Sequence, residues 1–235
     1  DYGPGLVADG MSEVERMFAQ HDPVTPLRAH AAAFGINALL AAGRPEEALE
    51  LADVLVGLER RRPDAPTLLA DALRMRGLVC VRLRRGGPAR ADLDEATTLY
   101  EQHSGREHFL TLQNQVLQGH AWVLDGEPDA GLAHARLAAE GISRKRAGET
   151  KEAMVLTWLG RTELDAGQSQ AAAATLDRAV ALVKSLQAPA RGAEAGLALV
   201  KAHAANGDPA QAREVLAWVD GPATPPEGLN GQQQQ

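Results

Sequence analysis

The sequence predicts an all-α protein, organised as a right-handed α-solenoid of about five helix–turn–helix hairpins with one further helix in front. Three observations lead to this fold class. Ala (44) and Leu (31) make up about a third of the 235 residues, Ile occurs only twice, and a Gly-containing turn returns every 40 to 43 residues. Ala and Leu favour helices, whereas β-branched and aromatic residues favour strands, so the composition argues against a sheet-based enzyme.

The repeat is visible at its turns, where a Gly is usually followed two residues later by Pro. Gly ends a helix because it adopts left-handed backbone angles without a Cβ penalty, and Pro suits the first turn of the next helix. The predicted turn residues are Gly43, Pro45, Gly86, Pro88, Gly126, Pro128, Gly167, Gly207 and Pro209. Five positions after each Gly stands a small residue that should let the paired helices approach closely: Ala48, Ala91, Gly131, Ala172 and Ala212.

The segments between these turns are predicted to be helices. First helices are expected at about 27–42, 66–85, 106–125, 149–166 and 190–206, and second helices at about 45–60, 88–102, 128–140, 169–186 and 209–219. A capping box, Ser12-x-x-Glu15, predicts a leading helix at about 11–20. The domain prediction is therefore an N-terminal segment (1–26), an array (27–219) and a disordered Gln-rich tail (220–235). The predicted repeats are 27–62, 63–104, 105–145, 146–187 and 188–219.

Charge and cysteine content indicate the cellular location to expect and the kinds of partner that the chain could contact. Cys80 is the only cysteine and no stretch is apolar enough to span a membrane, so a reduced, cytoplasmic location is expected. The first residue is not Met, so we expect a fragment of a longer protein. The net charge is -7, yet nine arginines lie within 60–90 beside Asp64 and Asp71. That stretch could contact nucleic acid or an acidic partner. The favoured alternative is that its arginines lie on solvated helix faces and bind no ligand, because the chain has few aromatic residues on which bases could stack.

Helical hairpins with a Gly turn, a following Pro and small residues at the helix crossing resemble tetratricopeptide repeats. The resemblance covers about residues 27–219, with a period of 40–43 instead of the usual 34. This longer period is similar to that of kinesin light chains and of bacterial maltose-type transcription activators. HEAT-like or other helical solenoids are the alternative fold.

The resemblance also implies a binding face, because first helices line the concave side of tetratricopeptide arrays and peptides commonly bind there. Asn37, His120, Arg161 and Lys201 stand six positions before their turn Gly, where peptide-binding members often carry Asn or a basic residue. His120, Arg161 and Lys201 would form a basic end suited to a carboxylate. The predicted groove comprises His30, Asn37, Arg76, Arg84, Gln113, His120, Arg161 and Lys201.

No pattern in the sequence indicates catalysis. There is no phosphate-binding loop after a strand and no Gly-x-Ser-x-Gly elbow. Cys80 lies in an apolar helical run and is predicted to be a buried structural thiol. His103, Glu107 and His108 lack the further ligands of a zinc site. No catalytic residue, metal or cofactor is therefore predicted.

The predicted function is a non-catalytic scaffold that binds a protein or peptide. Its ligand is expected to be an acidic segment or a C-terminal carboxylate. The chain is expected to belong to a larger bacterial regulatory or signalling protein. One alternative is the ligand-sensing domain of a transcription activator. A second, less favoured alternative is an RNA-binding or other nucleic-acid-binding helical repeat that uses residues 60–90. A homodimer contact through the last hairpin, which carries Trp218 and Val219, is a further hypothesis.

Overall fold

The computed structural model describes residues 26–145, 147–186 and 189–221, with side chains from Ala31 onward except for 189–191. Ten helices and no strand occur in this part of the chain. They are α1 (Pro26–Ala41), α2 (Pro45–Glu59), α3 (Pro66–Arg82), α4 (Gly86–Ser104), α5 (Phe109–Leu124), α6 (Pro128–Arg144), α7 (Glu149–Asp165), α8 (Ser169–Ser185), α9 (Pro189–Ala205) and α10 (Pro209–Asp220). The predicted leading helix (11–20) and the tail beyond Gly221 lie outside the described residues.

The helices pair in chain order into five antiparallel hairpins, as predicted, and they form two compact units. The first unit, residues 1–145, holds α1 to α6, and the second, residues 146–235, holds α7 to α10. Within each unit, the second helix of one hairpin packs against the first helix of the next, and successive first helices also touch. None of the described helices is long and apolar enough to cross a membrane.

Each hairpin turn ends its first helix with the same pair of backbone hydrogen bonds. At the first turn, Gly43 N donates to Leu40 O (3.2 Å) and Arg44 N donates to Leu39 O (2.9 Å). This is the Schellman pattern, in which the left-handed residue satisfies carbonyls that the helix would otherwise leave unpaired. Gly43, Gly126, Gly167 and Gly207 all have φ between +71° and +95°, as the sequence predicts.

The second turn departs from the prediction. Here Arg84 is the left-handed residue (φ +58°), and Arg84 N and Arg85 N donate to Val81 O and Cys80 O. Gly86, predicted to fill this role, is instead the first residue of α4. A Cβ on Gly86 would lie 2.6 Å from Asp125 N and Leu124 C, so close backbone approach is what requires glycine there.

The left-handed residue of the second turn lies two positions before the predicted one, and this changes the alignment of the repeats. We define the turn residue of each hairpin as its left-handed residue: Gly43, Arg84, Gly126, Gly167 and Gly207. Their separations are 41, 42, 41 and 40 residues. Five positions after Arg84 stands Ala89, which is fully buried, whereas the predicted packing residue Ala91 is exposed. The helix crossing is therefore built from Ala48, Ala89, Gly131, Ala172 and Ala212.

Candidate functional site

The second unit carries a charged face on its two first helices, α7 and α9. Arg161 on α7 donates a hydrogen bond to Glu194 on α9, and both side chains remain partly exposed. Lys201 lies seven residues after Glu194, so the two share one side of α9. Leu197 stands between them with 48% of its surface exposed. We call Arg161, Glu194, Leu197 and Lys201 the α7–α9 face.

The predicted groove residues of the first unit do not form one exposed surface. Asn37 is exposed, and its Nδ2 donates to Ala33 O one turn earlier (2.9 Å). Gln113 and His120 on α5 are buried, with His120 only 2% exposed. Because burial removes them from solvent, these two side chains are not available to line an open groove. His30 lies in α1, but its side chain is outside the described residues.

Arg76 faces the second helices instead of a neighbouring first helix. Its guanidinium donates to Asp92 on α4 (2.6 and 2.8 Å) and to Asp53 on α2 (3.0 Å). The hydrogen bond with Asp92 raises the pKa of Arg76 above its ordinary value, and burial only partly opposes this shift. Arg76 therefore connects two hairpins, which argues against the groove role predicted for it. Arg84, also predicted to line the groove, is the left-handed residue of the second turn (φ +58°).

The contact between Arg76 and Asp53 belongs to a pattern that the sequence analysis missed. Ten positions after the turn residue, three second helices carry an aspartate: Asp53, Asp94 and Asp177. Each contacts a polar residue on the next first helix, namely Arg76, Gln118 and His203 respectively. The signal was present in the sequence as Asp at a fixed register: Asp53 and Asp177 already align on Gly43 and Gly167, and Asp94 aligns with them once Arg84 replaces Gly86 as the turn residue.

A buried polar network joins α4, α5 and α6. Asn114 on α5 donates to Leu93 O (2.8 Å) and to Thr97 Oγ1 (2.7 Å), both on α4. Thr97 donates to Gln118 Oε1 (3.3 Å), which also lies 2.9 Å from His134 Nε2 on α6. Among the described residues, Asn114 Oδ1 is a buried acceptor that has no hydrogen-bond donor. The network fixes how the second and third hairpins pack, because buried polar groups are costly when they are left unpaired.

Trp122 closes one side of this network. Its ring stacks on His134 with the centroids 4.6 Å apart, and the Arg90 guanidinium lies 5.3 Å from its centroid. Burial lowers the pKa of His134 from its ordinary value of 6.5, and the carboxylate of Asp94 partly opposes that shift. The stacking contacts are those of a packed helix interface.

The arginine-rich stretch 60–90 is extensively paired. Arg60 contacts Glu95 at 2.6 Å, Arg62 contacts Glu59 at 3.2 Å, and Arg90 contacts Glu127 at 2.6 Å. Arg74 and Arg76 are likewise paired with aspartates. Most of these acidic partners lie outside 60–90, so the local excess of positive charge counted along the sequence is reduced in the fold.

Cys80 is buried on α3, as predicted, and burial raises the pKa of its thiol to about 11. The thiolate is the reactive form, so this environment suppresses nucleophilic chemistry. Among the described residues, no group of three His, Cys, Asp or Glu side chains is placed to hold a metal ion.

No protein-family model and no curated protein matches the sequence. Solved structures match at the level of fold. A Podosopora anserina protein described as a kinesin light chain with nearly identical TPR-like repeats superposes with a TM-score of 0.55 at 18% identity, covering 82% of this chain and 92% of its own. BtubC (BKLC) from P. vanneervenii gives 0.59 at 18% identity, covering 97% and 96%.

A third structure gives a TM-score of 0.70. It is a Rap protein complexed with Competence and Sporulation Factor, matched at 13% identity over 89% of this chain and 57% of the Rap chain. The chain has a tetratricopeptide-like repeat fold. The resemblance drawn from the Gly and Pro turns is thereby confirmed. Its tetratricopeptide-like hairpins place Arg161 and Lys201 on successive first helices, six positions before their turn residues.

Proposed function

We propose that this chain is a non-catalytic scaffold that binds a protein or peptide through the α7–α9 face. The observation that carries the proposal is the contact of Arg161 with Glu194, since a guanidinium that holds an internal carboxylate has the geometry to hold one from a ligand. Lys201 adds a second, exposed cation on α9. The preferred ligand is therefore an acidic segment or a C-terminal carboxylate.

Leu197 defines the rest of the ligand. Its exposed side chain lies between Glu194 and Lys201, so it offers an apolar contact flanked by charge. A bound segment that places an aliphatic residue beside its carboxylates would cover Leu197 and pair with both cations. Buried apolar area would supply affinity, and the charges would supply orientation and register.

The fold comparisons support a binding role of this kind. The Rap protein, whose helical repeats superpose on this chain, was solved in a complex with Competence and Sporulation Factor. A bacterial, cytoplasmic, regulatory parent protein stays a prediction from the sequence. The nucleic-acid alternative loses support because five arginines of the 60–90 stretch are paired with carboxylates.

The test is selection from a displayed library of random peptides with free C-termini, followed by binding assays on the enriched peptides. We expect enrichment of peptides with acidic and aliphatic residues near the C-terminus. Replacing Arg161 and Lys201 together by Glu should weaken binding of these peptides at least tenfold. Glu194→Gln should strengthen it, because the internal competitor for Arg161 is removed.

The matched control is Arg213→Glu on α10, an exposed arginine on a second helix away from the α7–α9 face. It changes the net charge in the same direction and should leave peptide binding unaltered. Enriched peptides that bind the Arg161/Lys201 double variant as tightly as the wild type would overturn the proposal. Binding of labelled single-stranded RNA at low salt that falls with added salt would favour the nucleic-acid alternative instead.

A further inference from the structure

A cavity of about 320 Å³ lies where residues of α2, α3 and α4 meet, between the first and second hairpins. Cys80 is its most buried lining residue, with only 3% of its surface exposed. The guanidinium of Arg76, which Asp53 and Asp92 hold by hydrogen bonds, forms a second part of the lining. The remaining lining residues are Leu49, Arg85, Pro88 and Ala91.

The repeat gives this cavity a counterpart between the second and third hairpins, where α4, α5 and α6 meet. Trp122 on α5 is the counterpart of Cys80, because each stands four positions before its turn residue. The lining residues correspond in the same way: Leu49 to Arg90, Asp53 to Asp94, Arg76 to Gln118, and Asp92 to His134.

The ring of Trp122 occupies this counterpart space. It stacks on His134 with the ring centroids 4.6 Å apart, and the Arg90 guanidinium lies 5.3 Å from its centroid. Both contacts are therefore made with residues that correspond to lining residues of the cavity. The cysteine side chain is much shorter than an indole ring, so the same space beside Cys80 stays open. The cavity thus corresponds to the volume that an aromatic ring fills one hairpin later.

The second unit carries a ring at the same register position. His203 on α9 stands four positions before Gly207 and is 5% exposed, and its Nε2 lies 4.0 Å from Asp177 Oδ1 on α8. Among the described hairpins that follow another hairpin of the same unit, the third and the fifth therefore carry an aromatic ring at this position. Only the second carries a short side chain, Cys80.

Arg85 places a positive charge at the mouth of the cavity. Its counterpart Glu127 contacts Arg90 at 2.6 Å, and Arg90 lies over the ring of Trp122. A side chain at this register position therefore reaches the outer side of the ring. Arg85 is exposed, whereas the guanidinium of Arg76 is already held by two aspartates. Arg85 is thus the cation of this cavity that can bind a carboxylate from a ligand.

We propose that this cavity binds a small aromatic carboxylate. The planar ring lies beside Cys80, as the ring of Trp122 lies in the next hairpin, and the carboxylate pairs with Arg85. The cavity volume is at the lower end of the range for small-molecule sites, about 300–1,000 Å³, which suits a single or fused ring. The site lies in the first unit and does not depend on the α7–α9 face, so its ligand is distinct from the peptide proposed there.

Nuclear magnetic resonance of the full chain tests this site, with indole-3-acetate as the probe. We expect saturable shifts of amide signals within 49–53 and 85–92. The analogue 3-methylindole lacks the carboxylate and cyclohexylacetate lacks the planar ring, so each should bind at least about tenfold more weakly. Absence of saturable shifts in these two ranges would overturn the proposal. A tripeptide ending in Trp that binds at least tenfold more tightly than indole-3-acetate would overturn it in favour of a peptide site.

Cys80→Trp places in the second hairpin the ring that Trp122 supplies in the third. This variant should lose indole-3-acetate binding while its circular dichroism spectrum stays that of the wild type. Arg85→Glu leaves the cavity open, so it should weaken binding of indole-3-acetate at least about tenfold and leave binding of 3-methylindole unchanged.

The matched control is Arg61→Glu, an exposed arginine between α2 and α3 that does not line the cavity. It makes the same change in charge as Arg85→Glu and should bind indole-3-acetate as the wild type does. Wild-type affinity in Arg85→Glu, or in a folded Cys80→Trp variant, would overturn the proposal. If Cys80→Trp does not fold, the comparison of Arg85→Glu with Arg61→Glu decides by itself.

Discussion

Gly77 on α3 and Leu93 on α4 fit together so closely that a Cβ on the glycine would lie 2.6 Å from the leucine Cγ. The same arrangement recurs with Gly160 on α7 and Leu176 on α8. In both hairpins the glycine stands seven positions before the turn residue and the leucine nine positions after it. In both hairpins, therefore, a leucine side chain of the second helix packs directly against the backbone of the first helix at the glycine.

Replacing Gly77 by Ala should destabilise the protein, although Ala is the better helix former. In an exposed helix the change would stabilise by about 0.5–1 kcal/mol. Here the new methyl group collides with Leu93, and overpacking of a core costs about 1–3 kcal/mol. We expect a net loss of about 1–2 kcal/mol in the free energy of unfolding, measured by urea denaturation.

Gly57→Ala on α2 is the matched control. Gly57 is exposed, and a Cβ there would have no atom within 4 Å. This variant should gain about 0.5–1 kcal/mol from helix propensity alone. Equal effects of the two substitutions would contradict the close packing of Gly77 against Leu93.

Most of the helix boundaries could be predicted because the Pro and Gly residues that begin and end helices act through local backbone conformation. Pro45, Pro66, Pro128 and Pro209 are the first residues of their helices, and all four positions were predicted as helix starts or first-turn prolines. The second turn could not be predicted this way. The pair Gly86 and Gly87 offers an obvious turn, but Gly86 is the first residue of α4 and packs against the backbone of Leu124 and Asp125, while the left-handed conformation falls on Arg84 two residues earlier.

The candidate site was harder to predict because burial depends on neighbouring helices. Gln113 occupies the same register position as Glu194, and His120 the same position as Arg161. Arg161 and Glu194 are partly exposed, whereas Gln113 and His120 are buried in α5. The wrong residue at the second turn also hid that Asp94 shares the register of Asp53 and Asp177, the aspartates that contact the next hairpin. Periodicity gives the side of a helix, whereas the depth of each residue follows from tertiary packing.

Arg84→Gly should stabilise the second turn. A non-glycine residue in the left-handed region costs about 1–2 kcal/mol, so glycine relieves strain at the observed φ of +58°. We expect a gain of about 0.5–1 kcal/mol in the free energy of unfolding, since the Arg84 side chain also makes an interaction that the variant loses. A fall in stability would indicate that Arg84 is not the turn residue.

Arg76→Ala should be among the most damaging substitutions in the first unit. The side chain of Asp92 is only 8% exposed, and Arg76 is the cation that pairs with it. Removing one partner of a buried ion pair typically costs about 3–5 kcal/mol because the other charge is left uncompensated. Thermal and urea unfolding would both report the loss.

Asp53→Ala removes the exposed partner of the same guanidinium and is the control for the Arg76 prediction. The Asp53 side chain is 57% exposed, so its pairing with Arg76 should contribute about 0–1 kcal/mol. Combining Arg76→Met with Asp92→Leu should recover much of the stability lost in Arg76→Ala, since no buried charge then lacks a partner. A loss in the double variant as large as in Arg76→Ala would mean that packing, and not charge, determines the effect.

His134 should make the packing of α4, α5 and α6 sensitive to mild acid. Burial lowers its pKa below 6.5 in the folded protein, so the unfolded chain binds the proton more readily. The neutral ring therefore contributes stability above pH 6.5, and this contribution is lost as the pH falls through the folded pKa. The facing charges are Asp94, which contacts Gln118, and Arg90 above Trp122. Urea unfolding between pH 7.5 and 5 should show a steeper decline for the wild type than for His134→Gln, which cannot titrate. Parallel pH profiles for the two proteins would show that His134 does not titrate differently on folding.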